Sequence, residues 1–430
     1  MKFIIQIIPK LDEKMLSNKT LYNYKGEKID AILPSQAIKI VKGKEENVKI
    51  IAILPVSLRE QEDSIKSIVD TQLVIPSIGK YNGKVYGGNY DQIVATIFSG
   101  LVMEYLRLRN SEKLTEVIVE ISRGQNIYVS ALIDALRNFI VFLSLTDLRK
   151  NYKRDFSAVL AFAEPVVGDP EQEIRIFDSE FSWSTFFTLP IESANKNILP
   201  NKLPRFFRDF SDENEFRKMI QLSIILFCCI EKGVILPLFY VNLPSSKEFK
   251  IWIERLAEGM LRKIEENQFE EIRKFDARLF IRVIQSFALS SGILTLIESK
   301  NIALRTDEEG YVSLNILELF VDILKEIGED VASRFLNREI NELKTLQATE
   351  KPTRLSELRK GGEKEQNSVY SRFSDIERNF FAHAGFEKSS VEIINKDGEI
   401  KVRFVEDKAR ELRMYRGEIF NWLTKGVLTE

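Results

Sequence analysis

The sequence predicts an α/β domain with a mostly parallel, Rossmann-like sheet, followed by an all-α domain that carries a small β-hairpin. Three observations predict it. Over roughly the first 180 residues, short β-rich runs alternate with stretches of helical spacing, the pattern of a parallel sheet covered on both faces. Around Ser182 to Pro204 that pattern dissolves into Ser, Asn and Pro, with Pro190, Pro200 and Pro204 as punctuation. Helical periodicity dominates afterwards. The expected division is a first domain over 1–185, a linker over 186–204 and a helical domain over 205–430.

Within the first domain the strand candidates are Lys2 to Ile8, Val48 to Leu54, Val117 to Ile121, Ser157 to Ala163 and Glu173 to Phe177. Their near-continuous apolar character suits strands buried on both sides. Pro34 to Val41, Ser57 to Val69, Asn89 to Leu108 and Ile127 to Leu143 have apolar residues at helical spacing. In the second domain Ser245-Ser246-Lys247-Glu248 is a capping box, where serine and glutamate side chains satisfy each other's backbone N–H groups. It opens a helical stretch expected to run through Ile272, and further helical segments cover 275–298, 313–347, 368–384 and 405–425. Ile393 to Ile400 reads as a hairpin, because Asp397-Gly398 favours a tight turn between strands.

Composition bounds the function. Of 430 residues 44% are apolar, and 62 basic against 64 acidic side chains leave a formal charge of −2. No global positive field holds nucleic acid, so any such contact must be local. Cys228 and Cys229 are adjacent in an apolar run and are the only cysteines, which excludes a disulfide framework and a cysteine-rich zinc site. The first residues, Met1 to Pro9, read as a strand and not as a signal peptide, and the longest apolar run, near 219–230, falls short of the roughly 18 to 20 residues that span a bilayer. A cytoplasmic protein without a membrane partner is expected.

His383 is the sole histidine, and it stands in Arg378-Asn379-Phe380-Phe381-Ala382-His383-Ala384-Gly385. One imidazole therefore carries whatever proton chemistry histidine supplies here. The guanidinium of Arg378 can brace phosphate oxygens with a planar fork of donors, so the pair suits phosphodiester cleavage. Asn379, four residues before His383, lies on the same helical face and can orient the imidazole by a hydrogen bond. Arg378 lies about 140° away on an ideal helix, which points to a composite site built by two copies across a two-fold axis. Ala382, Ala384 and Gly385 offer little bulk and would let two such helices approach. The bland alternative is a surface histidine near a frayed helix end with Arg378 in an ordinary ion pair.

A second constellation, Ser122-Arg123-Gly124-Gln125-Asn126, follows a strand and opens a helix. Ligands bind at the carboxyl ends of strands in open α/β sheets, where free helix N–H groups attract phosphate. Gly124 permits close backbone approach, Arg123 adds a cation, and Ser122, Gln125 and Asn126 can read polar edges; the alternative is a plain strand-to-helix turn.

Arg-Asn, three residues, His and then Ala-Gly, late in a helical domain, resembles the signature of HEPN ribonucleases. The strand Val117 to Ile121 and the turn through Asn126 resemble those of CARF domains, and Ile51 to Leu58 resembles their earlier strand ending in Pro-Asp-Ser-Leu. Glu120 and Arg123 stand where that family usually has Asp and His, and Val56 replaces its Asp. Together, and in this order, the two halves resemble the CARF–HEPN ribonucleases of type III CRISPR systems. The resemblance implies a homodimer that binds a cyclic oligoadenylate through Ser122 to Asn126 and cleaves single-stranded RNA through Arg378, Asn379 and His383. No metal or cofactor is implied; products would carry 2′,3′-cyclic phosphate and 5′-hydroxyl ends. A ring of four adenylates matches two-fold symmetry, with a ring of six as the alternative. The rival reading is a noncatalytic oligoadenylate-binding regulator or interaction module with an inactive HEPN half; the intact Arg378, Asn379 and His383 argue against it.

Other features weigh less. Gly79-Lys80-Tyr81-Asn82-Gly83-Lys84-Val85 comes near to a phosphate loop but is one residue short and has Val85 where Ser or Thr should meet magnesium, so it is read as a flap near the ligand crevice. Phe206-Phe207 and Phe380-Phe381 are read as packing residues before base-stacking ones. Lys351, Arg354, Arg359 and Lys360 form a basic stretch that either guides RNA or is a loop.

Overall fold

The computed structural model describes residues 1–11, 16–44, 46–108, 112–148, 156–165, 173–182, 189–190, 213–266, 276–359 and 372–424. Of the expected linker only Leu189 and Pro190 are among them; Phe206, Phe207 and Lys360 lie outside the described residues.

In the first domain the described elements run β1 (Lys2–Ile7), β2 (Thr20–Tyr24), β3 (Glu27–Ala31), α1 (Pro34–Lys42), β4 (Val48–Pro55), α2 (Glu62–Lys66), β5 (Thr71–Ile75), β6 (Ile78–Tyr81), β7 (Lys84–Gly87), α3 (Tyr90–Leu108), β8 (Glu116–Glu120), α4 (Asn126–Thr146), β9 (Ser157–Ala163) and β10 (Ile174–Glu180). Eight strands form one sheet in the order β3-β2-β10-β9-β8-β1-β4-β5. The β9-β8-β1-β4-β5 segment is parallel throughout, while β10 is antiparallel to β9 and β3 to β2. Every side chain of β1 is buried, because α1 covers one face of the sheet and α3 with α4 the other.

Three strands of this sheet escaped the sequence reading. β2, β3 and β5 are each five residues long and sit at or near the sheet edges, so each offers only a few positions of alternation. The helix expected over Ser57 to Val69 is a 3₁₀ turn (Val56–Gln61) followed by α2, in which Ile65 alone is buried. Without an apolar stripe to pack, no long helix is held there.

The second domain continues with α5 (Glu213–Lys232), α6 (Ser246–Glu265), α7 (Ala277–Ser299), β11 (Val312–Ser313), α8 (Leu314–Ile327), α9 (Asp330–Thr345), β12 (Thr353–Arg354), α10 (Leu355–Leu358), α11 (Arg372–Ala382), β13 (Val391–Lys396), β14 (Glu399–Phe404), α12 (Glu406–Arg413) and α13 (Glu418–Thr424). The capping box forms as expected: Ser245 N–H donates to Glu248 at 2.7 Å and Glu248 N–H to Ser245 Oγ at 3.2 Å. Both cysteines are buried free thiols. The segment expected as one helix over 313–347 is two, parted at Gly328, whose φ of +101° caps α8 in the left-handed conformation. A second sheet, β11-β14-β13-β12, is built on the hairpin that turns at Asp397-Gly398, both at positive φ.

The domains share one apolar core that extends from Phe3 to Leu423. Its seam is α6 and α7: α6 packs against α3, and α7 against both α3 and α4. Gln285 on α7 donates to the Asn138 carbonyl of α4 at 3.1 Å. At Gly292 the approach is closer still: a Cβ there would lie 2.2 Å from the Leu145 carbonyl oxygen, so α7 rests directly on the backbone at the end of α4. This packing corrects one expectation from apolar run length. Both α4 and α7 are long and apolar enough to cross a membrane, yet here α4 packs against β1 and α3, and α7 packs against α3, α4 and α6.

Candidate active site and ligand turn

The segment that carries the histidine folds as a helix with a tight exit. Phe380 on α11 is fully buried and lies 5.3 Å from the ring of Trp422, which anchors the helix to α13. His383 follows the last helical residue, its N–H donating to the Asn379 carbonyl at 3.0 Å. Ala384 and Gly385 then take φ of +48° and +88°, and the Gly385 N–H closes on the Phe380 carbonyl at 2.8 Å. A Cβ on Gly385 would lie 2.8 Å from Val234. The small residues expected to admit a second helix thus serve this chain's own turn: Ala384 and Gly385 are buried, and only Ala382 is exposed.

That exit turns the imidazole onto α9. His383 Nδ1 lies 3.1 and 3.2 Å from the two carboxylate oxygens of Glu339, a side chain with no exposed surface. Arg338 reaches the same carboxylate at 3.1 Å and Arg359 at 3.2 Å. Arg338 also donates to the Ala382 carbonyl at 3.4 Å, which ties the exit turn to α9. Burial pushes the Glu339 carboxyl up, but the hydrogen bond and charge of His383, with Arg338 and Arg359, outweigh it and hold the group below its ordinary value. The anion fixes the ring: Nδ1 carries the proton that faces it, so Nε2 of the neutral imidazole is the basic nitrogen. Nε2 has no partner among the described residues, and the side chain is 39% exposed.

The orienting partner expected in Asn379 is therefore Glu339. One signal for it was legible, since Glu339 falls among Leu336, Ile340 and Leu343 on the buried stripe of α9, where a carboxylate requires a partner. Arg378 is exposed and has no ion-pair partner among the described residues. Arg359, from the basic stretch considered as an RNA guide, is engaged by Glu339 and Glu342.

The five residues of the second constellation form the β8-to-α4 turn. Gly124 has φ of +109°, and a Cβ there would lie 2.7 Å from Ile7, so the close approach that needs glycine is to the end of β1. Gln125 is the N-cap of α4, and no side chain caps the helix. Arg123 donates to the hydroxyl of buried Tyr22 at 2.8 Å. Ser122 N–H donates to Glu120 at 2.8 Å, and its hydroxyl is bonded to Glu120 and to the Ala163 N–H. Burial raises the Glu120 carboxyl above its ordinary value against the opposing pull of Ser122 and Arg123. Among the described residues its second oxygen has no partner, nor has the amide nitrogen of Gln6, its neighbour in the β1–β8 register.

The flap stands beside this turn. β6 and β7 form a separate hairpin that turns at Asn82-Gly83, both at positive φ. Tyr81 donates its hydroxyl proton to the Gln125 side chain, and the Ile78 N–H donates to the Tyr128 hydroxyl at 3.1 Å.

Comparison with known families reaches both regions. Residues 7–165 match the family described as CRISPR system endoribonuclease Csx1, CARF domain, and residues 329–406 that described as CRISPR system endoribonuclease Csx1, HEPN domain. No curated protein matches the chain. The turn and its flap lie in the first match, and Glu339, Arg378 and His383 in the second. The two matches together take in more than half of the sequence, and the chain belongs to the CARF–HEPN endoribonucleases of CRISPR systems.

Proposed function

We propose that two copies of this chain bind one cyclic oligoadenylate between their CARF domains and, so activated, cleave single-stranded RNA in a cleft shared by their HEPN domains. One observation carries the chemistry: the only imidazole is clamped at Nδ1 by a buried carboxylate and presents an Nε2 that has no partner among the described residues. In the reaction the ribose 2′-oxygen loses its proton and attacks the adjacent phosphorus. The bond to the 5′-oxygen breaks, and that oxygen takes up a proton. His383 Nε2 serves one of these transfers, and Arg378 stabilises the charge that grows on the phosphate. The products are a 2′,3′-cyclic phosphate and a 5′-hydroxyl, and no step calls on a metal ion.

Arg378 precedes His383 by five residues, about 140° round an ideal helix, which supports a composite cleft with arginine and histidine from both copies. Val331 and Phe335 leave an apolar strip exposed on α9, the helix of Glu339, the kind of surface a second copy covers. For the activator, the phosphates meet Arg123 and the uncapped start of α4, and a ring of four adenylates fits the two-fold axis. Activation then follows from unequal affinity for two arrangements of the HEPN pair.

Labelled RNA incubated with the purified full-length protein, with and without cyclic oligoadenylates, tests the proposal. Ligand-stimulated cleavage should fall by roughly 10²- to 10⁴-fold in His383→Ala. It should persist in chelator. Undiminished cleavage by His383→Ala, or its loss on chelation of the wild type, would remove the chemistry.

A further inference from the structure

We infer that the β6–β7 hairpin is a nucleobase platform, with Tyr86 as the ring on which one adenine of the activator stacks. The inference rests on the activator reading above and names the part of that site that holds a base. Strand register sorts the hairpin into two faces. Tyr81 pairs with Lys84 and Gly79 with Tyr86, so Gly79, Tyr81, Lys84 and Tyr86 share one face, while Lys80 and Val85 share the other. The first face is the one turned to the ligand turn, because Tyr81 bonds Gln125 at the start of α4.

Neither tyrosine ring belongs to the apolar core, and both are half-buried. They meet edge to face at 6.0 Å and 71°, so at least one face of each ring is left free of the other. Opposite Tyr86 stands Gly79, and a Cβ built there would touch nothing within 4 Å. The result is a slot beside the Tyr86 ring, floored by a residue without a side chain. Lys84, on the same face, has no ion-pair partner among the described residues and supplies a cation for a phosphate next to the stacked base. An aromatic face, an open slot and a cation suit a nucleotide in which base and phosphate are adjacent. The base of the hairpin is fixed, with Ser57 N–H donating to Ser77 Oγ at 2.9 Å and Gly88 N–H to the Ser77 carbonyl at 3.1 Å, so the platform is held at the turn.

The test titrates the full-length protein with cyclic tetra-adenylate in which one adenine is replaced by fluorescent 2-aminopurine. Wild type should bind and quench the probe by stacking. Tyr86→Ala and Tyr86→Leu, the second keeping bulk without a ring, should bind about tenfold more weakly and lose the quench, while Tyr86→Phe keeps both. If wild type binds and the Ala and Leu variants bind and quench as well as it does, the platform is wrong and the activator reading stands. If wild type binds neither this probe nor the unmodified ring, the activator reading fails and the platform with it.

Discussion

Glu120 and Glu339 are both sealed from water, and each holds a residue of a proposed site, yet their carboxyls move in opposite directions. Glu339 is ringed by an imidazole and two guanidiniums, and stays an anion. Glu120 has two bonds from Ser122 and one more distant cation in Arg123, and burial wins. The difference teaches what each is suited to do. A buried anion among cations is a rigid post, because any movement leaves a charge without compensation. A carboxyl with one oxygen unpartnered can exchange bonds with its surroundings at small cost.

The sharpest way to break this comparison is to remove the post. Glu339→Ala should cost about 2–3 kcal/mol of stability, near the low end for a severed buried ion pair because Arg338 and His383 can regain water. Glu339→Gln, which keeps shape but gives up the charge, should lower kcat roughly tenfold or more with little change in KM. An unchanged kcat would reduce Glu339 to a packing residue.

Next in size is the dependence of melting temperature on pH. Glu339, held below its ordinary 4.5 when folded, adds stability that stands above that value and fades as pH falls through the folded one. Glu120, raised above 4.5, adds stability that is complete below that value and is lost as pH rises through the folded one. Glu339→Gln should therefore flatten the acid side of the curve and Glu120→Gln the side towards neutrality. Parallel effects from the two substitutions would show that the carboxyls do not differ as described. The smallest effect is expected at Arg123: its replacement by Ala should weaken cyclic oligoadenylate binding about tenfold, as for one charge-assisted hydrogen bond, measured by calorimetry.

How much of this was legible in the sequence depends on the range of the interaction. The central strands, α3, α4, the Ser245 cap and the Asp397-Gly398 turn are local matters of periodicity and turn chemistry, and they stand where the residues place them. Gly328 was overlooked because apolar spacing continues on both sides of it, and only its backbone conformation shows that the helix ends. The histidine announced itself by being alone. Its partner did not, because Glu339 is 44 residues away in sequence and meets the ring only after α9 and α11 pack. The flap was read from a failed phosphate loop, but its face towards the turn follows from register, which the sequence does not spell out.

The contact between Gly292 and the Leu145 carbonyl bears on how such proteins can be recombined. Where main chain lies against main chain, no side chain can yield to accommodate a newcomer. A different helical domain grafted onto this sheet domain would have to bring its own dent at that position, since a single added methyl group would hold the two apart.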